Sequence, residues 1–168
     1  MCEAQNAVNP IGFTSILTKS QHKILVSKSD SGLNVLALYG GLVLIYNNVL
    51  EAVGNTPLIK LSKIVPEGYA DILVKYEGVN IGGSIKTRTA LNMINDAEER
   101  GIINKDTIIV EPTSGNQGIG LALIGAVKGF KVRIIMPDSV SEERRKLVKA
   151  YGAELVLIHD DGDIGACI

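Results

Sequence analysis

The sequence has 168 residues, of which 46% are hydrophobic and 21% charged, and its net charge is −1. This length is sufficient for one domain with a hydrophobic core, and the near-zero charge excludes recognition of nucleic acid or an anionic membrane through bulk electrostatics. Cys2 and Cys167 lie at opposite ends of the sequence, and His22 and His159 are isolated, so neither a disulfide framework nor a metal site is expected.

The N-terminal quarter of the chain carries weak signals. Its most apolar run, residues 32–46, is shorter than the roughly 20 residues that span a bilayer, and it begins too late for a signal peptide. Residues 1–44 show weak periodicity and no clear helix caps. We therefore treat residues 1–44 as an extension, and a cytoplasmic protein without membrane contact is the expectation.

From residue 45 onward, secondary-structure signals come at regular intervals. The patterns predict the following elements in chain order: a short helix at 47–53, strands at 57–61 and 71–76, a helix at 84–100 capped by Ser84, a strand at 107–111, a helix at 116–128, a strand at 131–136, a helix opened by a capping box at 139–142 and ended by Gly152, and a strand at 154–158. This alternation predicts an α/β fold, with a parallel sheet and flanking helices in a three-layer, Rossmann-like arrangement. Ligands of such sheets lie at the carboxyl ends of the strands, so the loops 78–86 and 112–117 are expected on one rim.

The first of these loops ends in a lysine at the mouth of a helix. Residues 80–88 read NIGGSIKTR, which places Lys86 in the first helical turn. The positive end of the helix dipole disfavours a cation there and favours the neutral amine that a nucleophile or base requires. A solvated surface lysine is the ordinary alternative. A Walker A loop is excluded, because Ile85 stands where that motif needs glycine.

The second loop combines hydroxyl, amide and glycine residues directly before an apolar helix. Backbone N–H groups at a helix start, together with Thr113, Ser114, Asn116 and Gln117, would suit an anion such as a carboxylate. The alternative is an ordinary turn that caps the helix. The spacing of the nearby glycines, beginning with Gly115, does not fit a dinucleotide fingerprint.

Residues 45–158 resemble the cysteine synthase (O-acetylserine sulfhydrylase) family of pyridoxal-phosphate enzymes, fold type II, which also includes the tryptophan synthase β-like proteins. The resemblance rests on four segments: 46–58 (YNNVLEAVGNTPL), the lysine loop 80–88, the asparagine loop 111–120 (EPTSGNQGIG) and 136–153 (MPDSVSEERRKLVKAYGA). It implies that residues 45–168 are the N-terminal part of a β-replacement enzyme whose cofactor is pyridoxal 5′-phosphate, and that residues 1–44 have no family counterpart.

The resemblance also implies a reaction and a set of site residues. Lys86 would bind the cofactor as a Schiff base and remove the substrate α-proton, and Asn116 would hydrogen-bond the 3′-oxygen of the cofactor. The implied reaction is β-replacement on O-acetyl-L-serine by sulfide, which gives L-cysteine through an α-aminoacrylate. The substrate carboxylate would be held by the second loop, namely by Thr113, Ser114, Gly115, Asn116 and Gln117.

Three departures from the family pattern leave alternatives open. Ile81 stands where the family usually has proline, Thr87 where aspartate is common, and Gln117 where threonine is usual. A different β-substituent or nucleophile is therefore open, as is a serine/threonine dehydratase-like lyase. The glycine/threonine-rich loop for the cofactor phosphate is expected beyond residue 168, so an inactive truncated fragment or binding remnant is a further alternative. The family pattern predicts a small amino-acid substrate and a homodimer.

Overall fold

The computed structural model describes the backbone of five strands within residues 7–45 and the whole chain from residue 46 to residue 159. The chain divides into two compact units, Met1–Glu51 and Ala52–Ile168, and each is described by itself. The two cysteines, His22 and the predicted tail after residue 159 lie outside the described residues.

The first unit is an antiparallel meander in which each strand pairs with the next along the chain. Its strands are β1 (Ala7–Val8), β2 (Phe13–Leu17), β3 (Lys23–Lys28), β4 (Asn34–Leu38) and β5 (Gly41–Ile45). Sequence analysis predicted no strand here. Short runs that are continuously apolar, such as β5, lack the alternation that distinguishes a strand from other structure. The helix predicted at 47–53 is a single 3₁₀ turn, Val49–Ala52.

The second unit begins with a small antiparallel pair, β6 (Leu58–Lys60) and β7 (Leu73–Lys75). Both strands were predicted, with longer bounds. Leu58 pairs with Lys75, and the segment between Lys75 and the first long helix then carries the predicted lysine loop. This pair therefore fixes where that loop starts.

The rest of the second unit is the predicted α/β arrangement. Its parallel sheet has the order β10-β9-β8, and its helices follow the strands in sequence. The elements are α1 (Lys86–Glu99), β8 (Ile108–Pro112), α2 (Asn116–Lys128), β9 (Lys131–Pro137), α3 (Glu142–Ala150) and β10 (Glu154–Ile158). The parallel sheet with flanking helices is confirmed. The capping box was placed wrongly: α3 begins at Glu142 and its N-cap is Ser141, whereas a box over 139–142 would start the helix near Ser139.

The core of this unit is built around α2. Every residue from Gly118 to Gly125 is buried, because α1 covers one side of the helix and β9 the other. Two glycines allow the helix to lie close to the strand: a Cβ on Gly118 would come within 2.9 Å of Ile134 Cγ2, and one on Gly125 would overlap Val132 Cγ2. These contacts place the start of α2 at the carboxyl end of the sheet, beside the predicted site.

Candidate active site

Lys86 is the first residue of α1 and its side chain is exposed. Its backbone N–H donates a hydrogen bond to Ser84 Oγ at 3.2 Å, so Ser84 supports the helix start even though Ile85 occupies the N-cap position. Within the part of the chain that the structure describes, the Lys86 amine has neither a hydrogen-bond partner nor a carboxylate partner. The amine is therefore accessible to a ligand.

The Thr87 side chain closes the loop before Lys86 through a hydrogen bond to the start of the same loop. This residue is fully buried, and its hydroxyl donates a hydrogen bond of 2.5 Å to the Ile81 carbonyl. Gly82 has a positive φ of 81°, and a Cβ there would lie 2.5 Å from Thr87 Oγ1, so this position requires glycine both for its backbone conformation and for space. Threonine at position 87 thus has a structural role that the sequence did not indicate.

The asparagine loop continues the parallel sheet into α2. The Thr113 N–H donates to the Ile135 carbonyl at 2.9 Å, and Thr113 Oγ1 accepts the Gly115 N–H at 3.2 Å. Asn116 then begins α2 and is exposed. Ser114, between them, is partly exposed. The loop therefore presents hydroxyl and amide groups at a helix N-terminus, as the sequence predicted.

The two loops meet where α2 crosses the first turn of α1. Gly120 lies so close that a Cβ on it would be 3.2 Å from the Lys86 carbonyl oxygen and 3.3 Å from Thr87 Cα. Gly120 is about one turn beyond Asn116, so the second turn of α2 contacts the first turn of α1. The structure thus brings Lys86 and the start of α2 together, while the chemical role of each side chain stays a prediction.

Gln117 faces the neighbouring helix. Its Nε2 lies 3.5 Å from Met93 Sδ on α1, and its Oε1 is buried without a hydrogen-bond partner. An unpaired buried amide oxygen costs free energy, so the packing of Gln117 against α1 leaves one acceptor unsatisfied. Its predicted part in holding a substrate carboxylate stays a prediction.

A carboxylate that sequence analysis missed lies nine residues before Lys86. Glu77 accepts hydrogen bonds from Arg88, Thr56 and Asn80. The Arg88 guanidinium is the main reason that the pKa of Glu77 falls to about 2, and the Thr56 hydroxyl lowers it further. Four donors thus stabilise the ionised carboxylate. The sequence offered no local signal for this arrangement, because Glu77 and its partners Thr56 and Arg88 are brought together by the fold.

A second carboxyl behaves in the opposite way. Glu111 stands at the end of β8 in register with the buried Ile134, and burial raises the pKa of this carboxyl. It lies two residues before Thr113, so a group that takes up a proton more readily than an ordinary glutamate stands beside the asparagine loop.

Comparison with known proteins identifies the family. The model of the family described as "Pyridoxal-phosphate dependent enzyme" matches residues 49–168. The chain belongs to this family. Cysteine synthase from Flavobacterium sp. is 55% identical over 112 residues, which cover 67% of this chain and 36% of that protein. Cysteine synthase B from Salmonella typhimurium is 49% identical over 112 residues, or 67% of this chain and 37% of that protein. The chain thus spans about a third of the length of these curated relatives.

Solved structures agree with the fold. A hydrogen sulfide-producing enzyme from Fusobacterium nucleatum is 50% identical, with a TM-score of 0.68 over 73% of this chain and 41% of that one. O-ureido-L-serine synthase is 42% identical, with a TM-score of 0.67 over 73% of this chain and 39% of that one. The α/β fold of this chain is therefore that of the pyridoxal-phosphate enzymes, whose cofactor is pyridoxal phosphate.

The described side chains fit one end of this cofactor. An exposed, unpaired amine at Lys86 suits an aldehyde, and the exposed Asn116 amide can donate to a ring oxygen. The predicted phosphate-binding loop lies outside the described residues. In the described part of the chain, no helix is long and apolar enough to cross a membrane, and no three His, Cys, Asp or Glu side chains cluster to hold a metal ion.

Proposed function

We propose that this chain carries the lysine-bearing part of a pyridoxal-phosphate-dependent β-replacement enzyme that makes L-cysteine from O-acetyl-L-serine and sulfide. The observation that carries the proposal is the close approach of Gly120 to the Lys86 backbone, which sets the starts of α1 and α2 side by side. Two cysteine synthases that are 55% and 49% identical over 112 residues support this class of reaction.

The proposed roles follow from the chemistry of each group. Lys86 Nζ would hold the cofactor, and once the substrate amine has taken its place on the cofactor, the released Lys86 amine would accept the Cα proton of the substrate. When bound, the cofactor supplies an electron sink for the electrons left at Cα. The Asn116 amide donates a hydrogen bond to the ring oxygen of the cofactor.

The asparagine loop orients the substrate in this proposal. Its backbone N–H groups at the start of α2, together with its hydroxyl and amide side chains, bind the substrate carboxylate, because a helix N-terminus favours an anion. Holding the carboxylate fixes Cα relative to Lys86 Nζ, so that proton transfer occurs within one bound geometry. The proposed carboxylate-binding residues are Thr113, Ser114, Gly115, Asn116 and Gln117.

A second candidate is a lyase that eliminates the β-substituent and adds no nucleophile. The likeness to a structure described as a hydrogen sulfide-producing enzyme, at 50% identity, favours this reading. Both reactions use Lys86 to remove the same proton, and they differ in the fate of the substrate after elimination. Product analysis separates them: replacement consumes sulfide and yields cysteine, whereas elimination from a thiol-bearing amino acid releases sulfide.

The partners and location belong to the same proposal. A small amino acid is the proposed substrate, two copies of the protein associate as a homodimer, and the protein acts in the cytoplasm. The net charge of −1 offers no bulk attraction for nucleic acid or an anionic membrane.

The test is covalent capture of the cofactor. Purified protein is incubated with pyridoxal phosphate and reduced with borohydride, and the modified lysines are identified by peptide mass spectrometry. We expect modification at Lys86 well above that at Lys131, which is also exposed but begins β9 at the opposite end of the sheet. Lys86→Ala removes the main adduct, and the control Lys131→Ala leaves it.

Turnover is then measured with O-acetyl-L-serine and sulfide, by following cysteine formation. Equal modification of Lys86 and Lys131 would contradict the assignment of the lysine. Selective modification of Lys86 without cysteine or sulfide formation would identify a binding remnant instead of an enzyme.

A further inference from the structure

One side-chain cluster next to the lysine loop has no part in the chemistry proposed above. It consists of Thr56, Glu77, Asn80 and Arg88, and we call it the Glu77 cluster. Its members come from three separate segments of the second unit. Thr56 and Asn80 are buried, and the Glu77 side chain is only 16% exposed. The Arg88 side chain is 37% exposed, so the cluster is partly shielded from water, and hydrogen bonds to its charged groups stabilise it.

The arginine is held from two sides. Arg88 Nε donates to Glu77 Oε2 at 2.9 Å and Nη2 donates to Oε1 at 3.0 Å, which is the bidentate geometry of a strong pair. The Thr56 hydroxyl donates to Oε1 at 2.5 Å and accepts a second hydrogen bond from Nη2 at 3.2 Å. Arg88 is two residues after Lys86, so this pair fixes the first turn of α1, which is the turn that carries the reactive amine.

The asparagine ties the other end of the loop to the same carboxylate. Asn80 Nδ2 donates to Glu77 Oε2 at 3.0 Å, while Asn80 Oδ1 accepts the Gly54 N–H at 2.9 Å. The Asn80 carbonyl in turn accepts the Gly83 N–H at 2.8 Å. The loop from Asn80 to Arg88 is therefore anchored to Glu77 at its beginning and at its end, and Lys86 lies between the two anchors.

We propose that Glu77 is a positioning residue that holds the lysine loop in the conformation presenting the Lys86 amine to its ligand. The inference rests on the proposed function, since it takes Lys86 as the cofactor lysine. A carboxylate offers about four acceptor sites, and four donors use them here. Glutamine at position 77 has the same shape but one acceptor oxygen, and its NH₂ group would face another donor. The hydrogen bonds that Asn80 and Arg88 donate to residue 77, which anchor the two ends of the loop, are therefore expected to weaken together.

The first experiment compares Glu77→Gln with the matched control Glu98→Gln in the full chain. Glu98 also forms a half-buried ion pair on α1, with Lys128, but at the far end of the helix. Each variant is labelled with pyridoxal phosphate and borohydride, and the rate at Lys86 is divided by that at Lys131 in the same molecules. We expect the ratio to fall about tenfold in Glu77→Gln, since lost hydrogen bonds to charged groups commonly cost an order of magnitude in population, and to stay within about twofold in Glu98→Gln.

The labelling ratio is compared only between samples that have the same circular dichroism signal and are therefore folded. A general loss of stability does not change this ratio. An equal fall in both variants, or an unchanged ratio in Glu77→Gln, would overturn the proposal. If Glu77→Gln does not fold, Thr56→Val serves instead, because it removes the hydroxyl that bridges Glu77 and Arg88 and keeps the side-chain shape. It is expected to lower the ratio in the same direction, about threefold.

A second readout separates this proposal from the function on which it rests. Hydrogen exchange of the amides in the lysine loop is measured without cofactor, and Glu77→Gln is expected to raise it at Gly83 and Arg88 but not in α3. If wild-type protein shows no selective labelling of Lys86, the proposed function fails, yet the exchange result still tests the loop. If labelling is selective but exchange and labelling are unchanged in Glu77→Gln, only the positioning role fails.

Discussion

The contact between Gly120 and the first turn of α1 makes a sharp prediction for Gly120→Ala. The new methyl group would lie 3.2 Å from the Lys86 carbonyl oxygen, 3.3 Å from Thr87 Cα and 3.2 Å from Ala90 Cβ. Two of these neighbours are backbone atoms, which cannot rotate away. Ordinary contact needs about 3.5 Å or more, so the two helices must separate by roughly 0.3–0.5 Å.

The magnitude follows from two opposing terms. Overpacking a core typically costs about 1–3 kcal/mol, and alanine in a helix interior recovers about 1 kcal/mol relative to glycine. The net expectation is a destabilisation of about 0–2 kcal/mol, or a fall in Tm of up to about 8 °C for a unit of this size. The described α-helices all lie in the second unit, so circular dichroism at 222 nm reports on it.

The effect on cofactor labelling distinguishes Gly120→Ala from the same substitution at a second glycine of α2, Gly125. A Cβ on Gly125 would overlap Val132 Cγ2, a worse clash, but at the other end of α2. We expect Gly125→Ala to lower Tm more than Gly120→Ala and to leave cofactor labelling of Lys86 in folded protein unchanged. Gly120→Ala should reduce that labelling several-fold. A higher Tm for Gly120→Ala, or equal labelling in the two variants, would refute the reasoning.

Two further predictions concern the lysine loop. The pKa of Glu77 lies near 2 in the folded protein, whereas its ordinary value is 4.5. The contribution of Glu77 to stability is therefore complete above about pH 4.5 and is lost as the pH falls toward 2. The urea midpoint should fall across this pH range in wild type and equally in the control Glu98→Gln, and it should change less in Glu77→Gln. Thr87→Val removes the donor of the part-buried hydrogen bond to the Ile81 carbonyl and should cost about 1–3 kcal/mol in thermal unfolding. Thr89→Val, on an exposed position of the same helix, should change Tm little, and equal effects would contradict the role of the hydroxyl.

Much of the second unit could be predicted from local patterns. The three α-helices begin and end within about three residues of the predicted bounds, because their ends carry local signals such as Gly129, which adopts a positive φ of 79° directly after α2. The parallel strands β8 to β10 were predicted for a similar reason, since alternation with helices restricts the topology. The predicted site loops also lie at helix starts, as their sequences indicated.

The features that could not be predicted depend on contacts between distant positions. Thr56 reaches Glu77 across 21 residues and Arg88 across 32, and no local spacing marks such a cluster. Gly120 is one of the glycines after Gly115 whose spacing does not fit a dinucleotide fingerprint. Its role is to permit the close approach of α1, which only the packed structure shows. The strands of the first unit were missed because short apolar runs do not reveal their own pairing.

Lys86 and Arg88, two cations in the first turn of α1, differ in whether they have a carboxylate partner among the described residues. Glu77 is the carboxylate that holds this loop, and its acceptor sites are filled by Arg88, Thr56 and Asn80. Arg88 is always charged and its planar group matches a carboxylate, so it takes the acid and leaves the amine unpaired. An ion pair would hold the Lys86 amine against a carboxylate, whereas an amine without a partner among the described residues is open to a ligand. The pairing of one cation thus keeps the other available for chemistry.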